Sequence, residues 1–352
     1  MPAQPYPLRP SSINSSGYNS IAAYNAGISG LGMSVTDKIL SNEDLMKVVD
    51  TNDEWIVSRT GIRERRIADA DTASSDLAII ASNRALADAG ITANDLDLII
   101  CATATGDFIW PSTACIIQDK IGAGRAGAFD LSAACSGFCY GMATAAGFIQ
   151  TGAMRHVLVV GVDTLTKQIN WEDRATCILF GDGAGAAVMS PCHNEEGLLA
   201  SVLGADGSGL ESVWMPAGGV RTPLTQQGID ARLNCITMKG AEVYKFAIRI
   251  IPEAIEQALA KAGLTSCDIS LLVMHQANLR IIQSVAEKLG IDFDRVFVNV
   301  DRYGNTSAAS VPIALTEAQE QGRLKRGDVV ATVGFGAGLT WGANVLRWNR
   351  GE

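Results

Sequence analysis

The stretch from Phe129 to Gly152 reads FDLSAACSGFCYGMATAAGFIQTG, and it organises the prediction of the whole fold. A short run of small and apolar residues leads to Cys135, and the apolar side chains after it point in every helical direction. A helix without a polar face must be buried on all sides, and this one is too short to cross a bilayer. Gly152 stands where a C-terminal cap is expected. The stretch therefore predicts a strand, a sharp turn and a central helix that begins with Cys135 and Ser136.

Cys135 is the candidate nucleophile of this stretch. A thiol at the start of a helix meets unpaired backbone N–H groups and the positive end of the helix dipole. Both favour the thiolate, which is the reactive form of cysteine. Many buried cysteines are inert, and the stretch alone leaves that alternative open.

The composition is that of a tightly packed α/β enzyme, since 47% of the 352 residues are hydrophobic and 36 are glycine. The formal net charge of −9 argues against general nucleic-acid binding. The eight cysteines show no C-x-x-C spacing and no nearby histidine cluster, so neither a disulfide framework nor a metal site is predicted. Free thiols fit a reducing cytosol. Because no secretory or transmembrane run is present, we expect no membrane partner.

Residues 1–22 are rich in Pro, Ser, Asn and Tyr and lack periodicity, which predicts a disordered tail. The tail is also Ser-rich and acid-poor, as a transit peptide would be. The expected location is cytoplasmic, and the plastid stroma stays open as an alternative.

An internal repeat predicts the architecture. Residues 85–101 align without gaps to residues 258–274, and each copy reads as a helix, a glycine stop, a short loop and a buried strand. Two shorter pairs extend the repeat: 120–122 with 288–290, and 181–187 with 334–340. The chain is therefore predicted to be a duplicated α/β unit. Its two halves are expected at 23–194 and 195–352, joined in the polar loop 191–197.

The duplication brings equivalent loops together at one pseudo-two-fold site and makes two further residues candidates. His275 directly follows a buried strand, where α/β folds place reactive groups. Asn305 follows Gly304, which permits a tight turn, and the repeat places Asn305 opposite Cys135. A buried structural histidine and a simple Asx turn are the plain alternatives. The repeat nevertheless predicts that Cys135, His275 and Asn305 converge.

With these residues assembled, the chain from about residue 25 to its end closely resembles the 3-oxoacyl-[acyl-carrier-protein] synthase III family. Members of this family are the initiating condensing enzymes of bacterial and plastid fatty-acid synthesis. The motifs that carry the resemblance lie at 50–63, 133–137, 173–174, 180–187, 275–281, 303–310 and 334–342. The family has the thiolase fold, in which two similar halves form a five-layered α-β-α-β-α sandwich, and it usually forms a homodimer. The resemblance thus agrees with the repeat.

The resemblance implies that Cys135, His275 and Asn305 form the catalytic set. Cys135 would exchange the thioester of an acyl-CoA for its own, with the oxyanion on the backbone N–H groups of Cys135 and Ala337. His275 and Asn305 would then hydrogen-bond the thioester oxygen of malonyl-acyl-carrier-protein while CO2 is lost. The resulting carbanion would attack acyl-Cys135 and release 3-oxoacyl-acyl-carrier-protein. No metal or redox cofactor is expected, because the CoA thioester is itself a substrate.

The resemblance also implies where the partners bind. The expected CoA contacts are Thr51, Trp55, Arg59, Arg174 and Asn278, with the adenine held between Trp55 and Arg174. The expected basic face for the acidic carrier protein consists of Lys245, Arg249, Arg280 and Lys288, of which Arg249 is included because it lies one helical turn after Lys245.

The expected acyl pocket includes Phe180 and Trp110. Trp110 stands where many family members have phenylalanine, and there the side chain reaches across the dimer and closes the partner's acyl pocket. The larger ring is expected to shorten or reshape that pocket, which predicts short primers with acetyl first.

Other functions share parts of this pattern. A polyketide or quinolone-type condensing enzyme would share the Cys-His-Asn set, and a cysteine-dependent acyl-thioester hydrolase would need water at the acyl-enzyme. A degradative thiolase would normally supply a second cysteine near the C-terminus, whereas the last cysteine here is Cys267. A non-catalytic binding paralogue would be expected to lose one of the three site residues, and all three are present.

Overall fold

The computed structural model of this protein describes residues 24–351. The predicted disordered tail, residues 1–22, lies outside the described residues.

The strands of the described chain are β1 (Asn25–Ser34), β2 (Ile39–Ser41), β3 (Glu64–Arg66), β4 (Leu98–Ala102), β5 (Gly127–Leu131), β6 (Val157–Thr164), β7 (Asp182–Cys192), β8 (Gly197–Ala205), β9 (Val213–Trp214), β10 (Thr237–Met238), β11 (Leu271–Met274), β12 (Val329–Gly336) and β13 (Thr340–Arg347). The α-helices are α1 (Asn42–Leu45), α2 (Asp53–Thr60), α3 (Ser74–Ala89), α4 (Thr113–Ile121), α5 (Gly137–Gln150), α6 (Arg174–Cys177), α7 (Gln226–Asp230), α8 (Gly240–Lys261), α9 (Leu279–Leu289), α10 (Val300–Tyr303) and α11 (Ser310–Glu320). Short 3-10 turns lie at Ala93–Asp95, Ala134–Ser136, Leu165–Gln168, Gly207–Ser212, Ser266–Asp268, Phe293–Arg295 and Ser307–Ala309.

Two large sheets have matching strand orders. The first sheet runs β1-β7-β6-β4-β5 and the second runs β8-β13-β12-β11. In each sheet the strand that follows the repeated helix, β4 or β11, runs parallel to every strand beside it. All other neighbouring strands in the two sheets are antiparallel. The chain passes from the first sheet to the second between Cys192 and Gly197, in the loop where the sequence places the junction. The division into two units at 194/195 stays a prediction.

Five layers follow from the alternation of side chains along the strands. Helices α3 and α4 cover the outer face of the first sheet, α5 and α11 lie between the sheets, and α8 and α9 cover the outer face of the second. Neighbouring strand residues point to opposite layers, so Ile99 packs under α3 and α4 whereas Ile100 packs against α5. The predicted α-β-α-β-α sandwich is the observed architecture.

The repeat found in the sequence is visible in the structure. Helix α3 leads to β4, and α8 leads to β11, each through a left-handed glycine, with φ of 67° at Gly90 and 69° at Gly263, and a 3-10 turn. The pair 120–122 and 288–290 also corresponds, since Gly122 and Gly290 terminate α4 and α9 with φ of 79° and 66°. Strand β5 follows Gly122, whereas after Gly290 a single bridge between Val296 and Leu272 takes its place.

The third sequence pair, 181–187 with 334–340, is out of register by four residues. Gly161 and Gly334 occupy the same place in the two sheets, and across the antiparallel ladder they pair with Gly185 and Gly342. Residues 181–185 therefore correspond to 338–342. Glycine-rich strands carry few side chains to fix a register, so the sequence pattern alone misplaced this pair.

The turns that enter the two central helices are also equivalent. Ala134 and Ser307 both adopt the left-handed region, with φ of 45° and 51°, and each begins a 3-10 turn that leads into α5 or α11. Cys135 therefore corresponds to Ala308, and the predicted equivalence of Cys135 and Asn305 is wrong. Cys135 also lies in the 3-10 turn before α5 rather than in the first turn of the α-helix itself.

Helix α5 is apolar, as the sequence predicted. The prediction that it is buried on all sides is wrong for the described chain. Phe138, Met142 and Ile149 are fully enclosed between the sheets. One stripe, which includes Tyr140 and Gly147, stays half-buried or exposed in the described chain. Gly152 does follow the helix in the left-handed conformation, with φ of 73°, as expected for a C-terminal cap.

Gly161 tests the packing of a central turn on a sheet. A Cβ at this position would overlap the backbone carbonyl of Ala308, whereas a Cβ at Gly147 would meet nothing within 4 Å. We expect Gly161→Ala to lower the free energy of unfolding by about 3 kcal/mol or more, because backbone cannot move aside as a flexible side chain can. We expect the matched control Gly147→Ala to raise it by roughly 0.5–1 kcal/mol. Urea unfolding of both variants measures the difference, and equal effects would contradict this packing.

Candidate active site

A cavity of about 560 Å³ opens between the two sheets' loops. Its inner wall carries Cys135, His275 and Asn305, and the structure thus brings the three predicted residues to one pocket. His275 and Asn305 are buried, whereas Arg59, Lys245 and Arg280 on the same pocket are exposed. The lining of the pocket therefore has neutral side chains on its floor and cations on its rim.

Cys135 is held by groups from the second half of the chain. Ser307 Oγ lies 3.3 Å from its Sγ, and a Cβ on Gly336 would lie 3.0 Å from the same sulfur. The residue is half-buried. Burial raises the pKa of the Cys135 thiol to about 12, while the hydrogen bond from Ser307 acts in the opposite direction. Burial is the largest of these effects, and it opposes the thiolate that the start of a helix favours, so the predicted thiolate stays a prediction.

His275 follows β11 directly, and its backbone N–H donates to the Val333 carbonyl at 2.7 Å. The ring packs edge-on against Phe335, with centroids 5.2 Å apart, and Nδ1 lies 2.6 Å from Ser310 Oγ. Burial lowers the pKa of His275 to about 3, so the imidazole is neutral. With Nδ1 engaged, Nε2 is the nitrogen available to a molecule in the pocket.

Asn305 is fixed at its backbone and at one side-chain atom. Its N–H donates to the Leu179 carbonyl at 2.8 Å, and its Oδ1 accepts the Ser307 N–H at 2.8 Å. Gly304 precedes it with φ of 63° and lies against the Leu179 backbone, as the predicted tight turn requires. Since Oδ1 is engaged, the Nδ2 donor is the end of the amide that can serve a ligand.

The aromatic ring of Trp55 lies at the rim and contacts two guanidinium groups. Arg59 and Arg174 each lie 4.7 Å from the ring centroid. Arg174 also donates to the Asp50 carbonyl at 2.9 Å. An adenine between Trp55 and Arg174 needs a gap of about 7 Å, twice a van der Waals contact of ~3.5 Å, so Arg174 must move aside for the predicted sandwich to form.

The other predicted CoA contacts are placed nearby. Asn278 lines the pocket, caps helix α9 and donates to the Arg59 carbonyl at 3.0 Å. Thr51 directly precedes the residue that caps α2, and its buried Oγ1 has no hydrogen-bond partner among residues 24–351.

The four predicted carrier-protein cations lie on neighbouring helices beside the pocket. Lys245 and Arg249 are exposed on α8, and Arg280 and Lys288 are exposed on α9. Lys288 Nζ lies 3.5 Å from the Ile248 carbonyl, between the two α8 cations along the sequence. The helices are tied together by the contact of 3.0 Å between Tyr244 and Ser284 hydroxyls.

Of the predicted acyl-pocket residues, Phe180 lines the cavity and bridges to Asn305, whereas Trp110 does not line the pocket of its own chain. Trp110 is 84% exposed. Ala337, the predicted oxyanion donor, lines the cavity beside Cys135.

Three hydroxyl residues that contact the site were not singled out from the sequence. Ser307 bonds Cys135, Ser310 bonds His275, and Thr340 Oγ1 lies 2.9 Å from the Ala337 carbonyl and 3.1 Å from the Ala133 carbonyl. Ser307 and Ser310 belong to a quoted motif, 303–310, and a correct register of the repeat would have placed Ser307 opposite Ala134.

Comparison with known proteins places the chain in a family. One family model, described as 3-oxoacyl-[acyl-carrier-protein] synthase III, matches residues 129–207, and its C-terminal counterpart matches residues 259–348. A curated β-ketoacyl-[acyl-carrier-protein] synthase III from Caldanaerobacter subterraneus subsp. tengcongensis is 54% identical over 92% of this chain and 98% of its own.

The chain belongs to the 3-oxoacyl-[acyl-carrier-protein] synthase III family.

Solved structures agree with this assignment. The synthase III from Aquifex aeolicus is 45% identical, covers 92% of this chain and 100% of its own, and superposes with a TM-score of 0.85. The priming β-ketosynthase of the R1128 polyketide pathway is 36% identical, covers 95% and 99%, and has a TM-score of 0.87. The predicted family, thiolase-like fold and enzyme class are confirmed, so the chain is an acyl-transferring condensing enzyme that initiates fatty-acid synthesis.

Two findings concern the described part of the chain. Across residues 24–351, no group of three or more His, Cys, Asp and Glu side chains is placed to hold a metal ion. No helix in that range has the length and apolar character needed to cross a membrane.

The buried neutral imidazole makes stability depend on pH. The pKa of His275 is about 3 in the folded protein and about 6.5 when unfolded, so the unfolded chain binds more protons between these values. The free energy of unfolding therefore falls as pH drops through this window. Relative to His275→Gln, the wild type should lose about 2 kcal/mol between pH 7 and pH 5. Urea unfolding of both proteins at the two pH values measures this, and parallel pH profiles would contradict a neutral buried His275.

Proposed function

We propose that this protein condenses a short acyl-CoA, acetyl-CoA first, with malonyl-acyl-carrier-protein through an acyl-Cys135 intermediate. The products are 3-oxoacyl-acyl-carrier-protein, CO2 and CoA. The observation that carries the proposal is the placement of a thiol, a neutral imidazole and an amide on one buried pocket floor beneath a basic rim.

The first step is thioester exchange on Cys135. The sulfur attacks the acyl carbonyl, the bond between that carbonyl and the CoA sulfur breaks, and the thiol proton ends on the departing CoA. The backbone N–H groups of Cys135 and Ala337 stabilise the tetrahedral oxyanion. Gly336 supports this assignment, because its backbone packs directly against Cys135 without a side chain between them.

The second step is decarboxylation of the malonyl thioester. His275 Nε2 and Asn305 Nδ2 donate to the thioester oxygen, which gains negative charge as the bond to the carboxylate breaks and CO2 leaves. The enolate carbon then attacks the acyl-Cys135 carbonyl, the bond between that carbonyl and the Cys135 sulfur breaks, and the sulfur takes up a proton from solvent in place of the one that left with CoA. The fixed Oδ1 of Asn305 supports this role, since it directs the amide nitrogen rather than the oxygen towards a ligand. The step needs no redox cofactor.

The rim residues bind the two carriers. CoA would contact Thr51, Trp55, Arg59, Arg174 and Asn278, with its adenine on the Trp55 ring after Arg174 moves aside. Lys245, Arg249, Arg280 and Lys288 form a continuous basic face beside the pocket for an acidic carrier protein, although the whole chain has a net charge of −9.

A homodimer and a short acyl pocket are proposed together. Phe108, Ile109 and Trp110 are 63%, 89% and 84% exposed, and such an apolar group is typical of a surface that another chain covers. Trp110 would then reach the partner's pocket and limit primer length, with Phe180 forming part of the pocket in its own chain. A cytoplasmic location is proposed with them.

The defining experiment follows product formation from acetyl-CoA and malonyl-acyl-carrier-protein, with octanoyl-CoA as a second primer. We expect acetoacetyl-acyl-carrier-protein from the wild type, with acetyl preferred over octanoyl. Cys135→Ala should lose condensation altogether, because no acyl-enzyme can form. Cys139→Ala, which removes a buried thiol one helical turn later, is the matched control and should retain activity.

Other products would redirect the proposal. Free acetate without a need for malonate would indicate a hydrolase. An acetylated Cys135 that condenses only with a polyketide carrier would favour the role of the similar priming β-ketosynthase. Efficient use of octanoyl-CoA would contradict the proposed effect of Trp110.

Trp55 tests the adenine site separately. Stacking of a base on an aromatic ring contributes ~1–3 kcal/mol, so Trp55→Ala should raise the KM for acetyl-CoA by roughly 5- to 150-fold. With acetyl-pantetheine, which lacks the adenine, wild type and variant should have similar KM values. An equal loss with both substrates would show that Trp55 supports the fold of the rim and not the base.

A further inference from the structure

Ser310 contacts His275 on the pocket floor. The position of the ring proton of His275 decides whether this side chain donates or accepts a hydrogen bond in the pocket. Ser310 Oγ lies 2.6 Å from His275 Nδ1, 2.9 Å from the Ser307 carbonyl and 3.3 Å from the Gln276 backbone nitrogen. Ser310, His275 and Gln276 are each at most 2% exposed. These contacts are therefore sheltered from exchange with bulk water.

The hydroxyl has one proton and two acceptor positions to distribute among these neighbours. The Gln276 N–H can only donate, so it takes one acceptor position on the oxygen. The hydroxyl proton then goes either to His275 Nδ1 or to the Ser307 carbonyl.

Two observations favour the imidazole nitrogen. The Ser307 carbonyl already accepts the backbone N–H of Ser310, so it does not depend on the hydroxyl. The Ser310 hydroxyl is the one hydrogen-bond partner of His275 Nδ1 among the described residues, so the two tautomers differ in which of these two groups donates. The contact to Nδ1 is also the shorter of the two.

We propose that Ser310 is a positioning residue whose hydroxyl donates to Nδ1 and thereby fixes the proton of His275 on Nε2. A neutral imidazole carries a single ring proton, so a nitrogen that accepts a hydrogen bond leaves that proton on the other nitrogen. His275 then presents an N–H to the pocket. The opposite tautomer would present a lone pair there.

This role rests on the proposed function, in which the malonyl thioester oxygen becomes negative during decarboxylation. An N–H at Nε2 stabilises that oxygen, whereas a lone pair would repel it. Acylation of Cys135 relies on backbone N–H groups instead. Loss of the Ser310 hydroxyl should therefore affect the two steps unequally.

The direct test is the tautomer itself. The chain contains only three histidines, so protein labelled with 15N-histidine gives few imidazole signals, and His156→Gln and His193→Gln identify those of His275. Long-range 1H–15N correlation should show a protonated Nε2 and an unprotonated Nδ1 in the wild type. In Ser310→Ala the Nδ1 signal should shift towards the protonated form, and Ser310→Thr, which keeps a hydroxyl, should restore the wild-type pattern.

Partial reactions provide the second readout. Removing one donor to a developing oxyanion costs up to ~10²–10³-fold, so Ser310→Ala should slow malonyl-acyl-carrier-protein decarboxylation about tenfold or more. Acylation of Cys135 by labelled acetyl-CoA should change less than about twofold, since its oxyanion is bound elsewhere. Thr316→Val is the matched control, because it removes a buried hydroxyl on the same helix that bonds only the Pro312 carbonyl.

The outcomes separate this inference from the proposed function. A wild-type His275 protonated on Nδ1, or a Ser310→Ala variant with unchanged tautomer and decarboxylation rate, would overturn the role of Ser310. If the tautomer responds to Ser310→Ala as expected but the wild type forms no condensation product, the role of Ser310 stands and the proposed function fails.

Discussion

The structure depends on two places where backbone packs on backbone with no side chain between. At Gly161 the first sheet receives the turn that holds Ala308, and at Gly334 the second sheet receives the turn that holds Cys135. Each sheet thus packs against the turn that belongs to the other copy of the repeat. Because interiors are close-packed, a side chain at either glycine would separate the turn from the sheet, and the central helices α5 and α11 would lose their positions.

This exchange of turns also explains why the chemistry lies at the centre of the molecule. Cys135 comes from the first copy of the repeat, and His275 and Asn305 come from the second. Desolvation favours the neutral forms of these groups, with the pKa of Cys135 raised to about 12 and that of His275 lowered to about 3. Charged groups stay on the rim, where water and charged carriers reach them. Neutral donors on the floor and cations at the mouth suit a reaction that creates an enolate from large anionic substrates.

The fold and the three central site residues could be predicted from the sequence. The hydroxyl residues that hold those site residues in place could not. His275 could be found because it follows a predicted buried strand, and Asn305 because it follows a glycine that marks a tight turn. Ser307 and Ser310 lie in a run of small residues with no periodicity, and their partners are 172 and 35 residues away along the chain. The register of 181–185 against 338–342 was missed for a related reason, since it is set by the antiparallel ladder and not by side chains.

The sequence by itself determined the duplicated α/β architecture, the apolar central helix, the family and the identity of the candidate nucleophile. These follow from periodicity, glycine stops and motifs, which act over short stretches of chain. Only the tertiary structure decided that burial raises the pKa of Cys135, that Ala308 is its counterpart in the second copy, and that hydroxyls hold both Cys135 and His275. Desolvation and hydrogen bonding depend on groups that only folding brings together, so no local pattern encodes them.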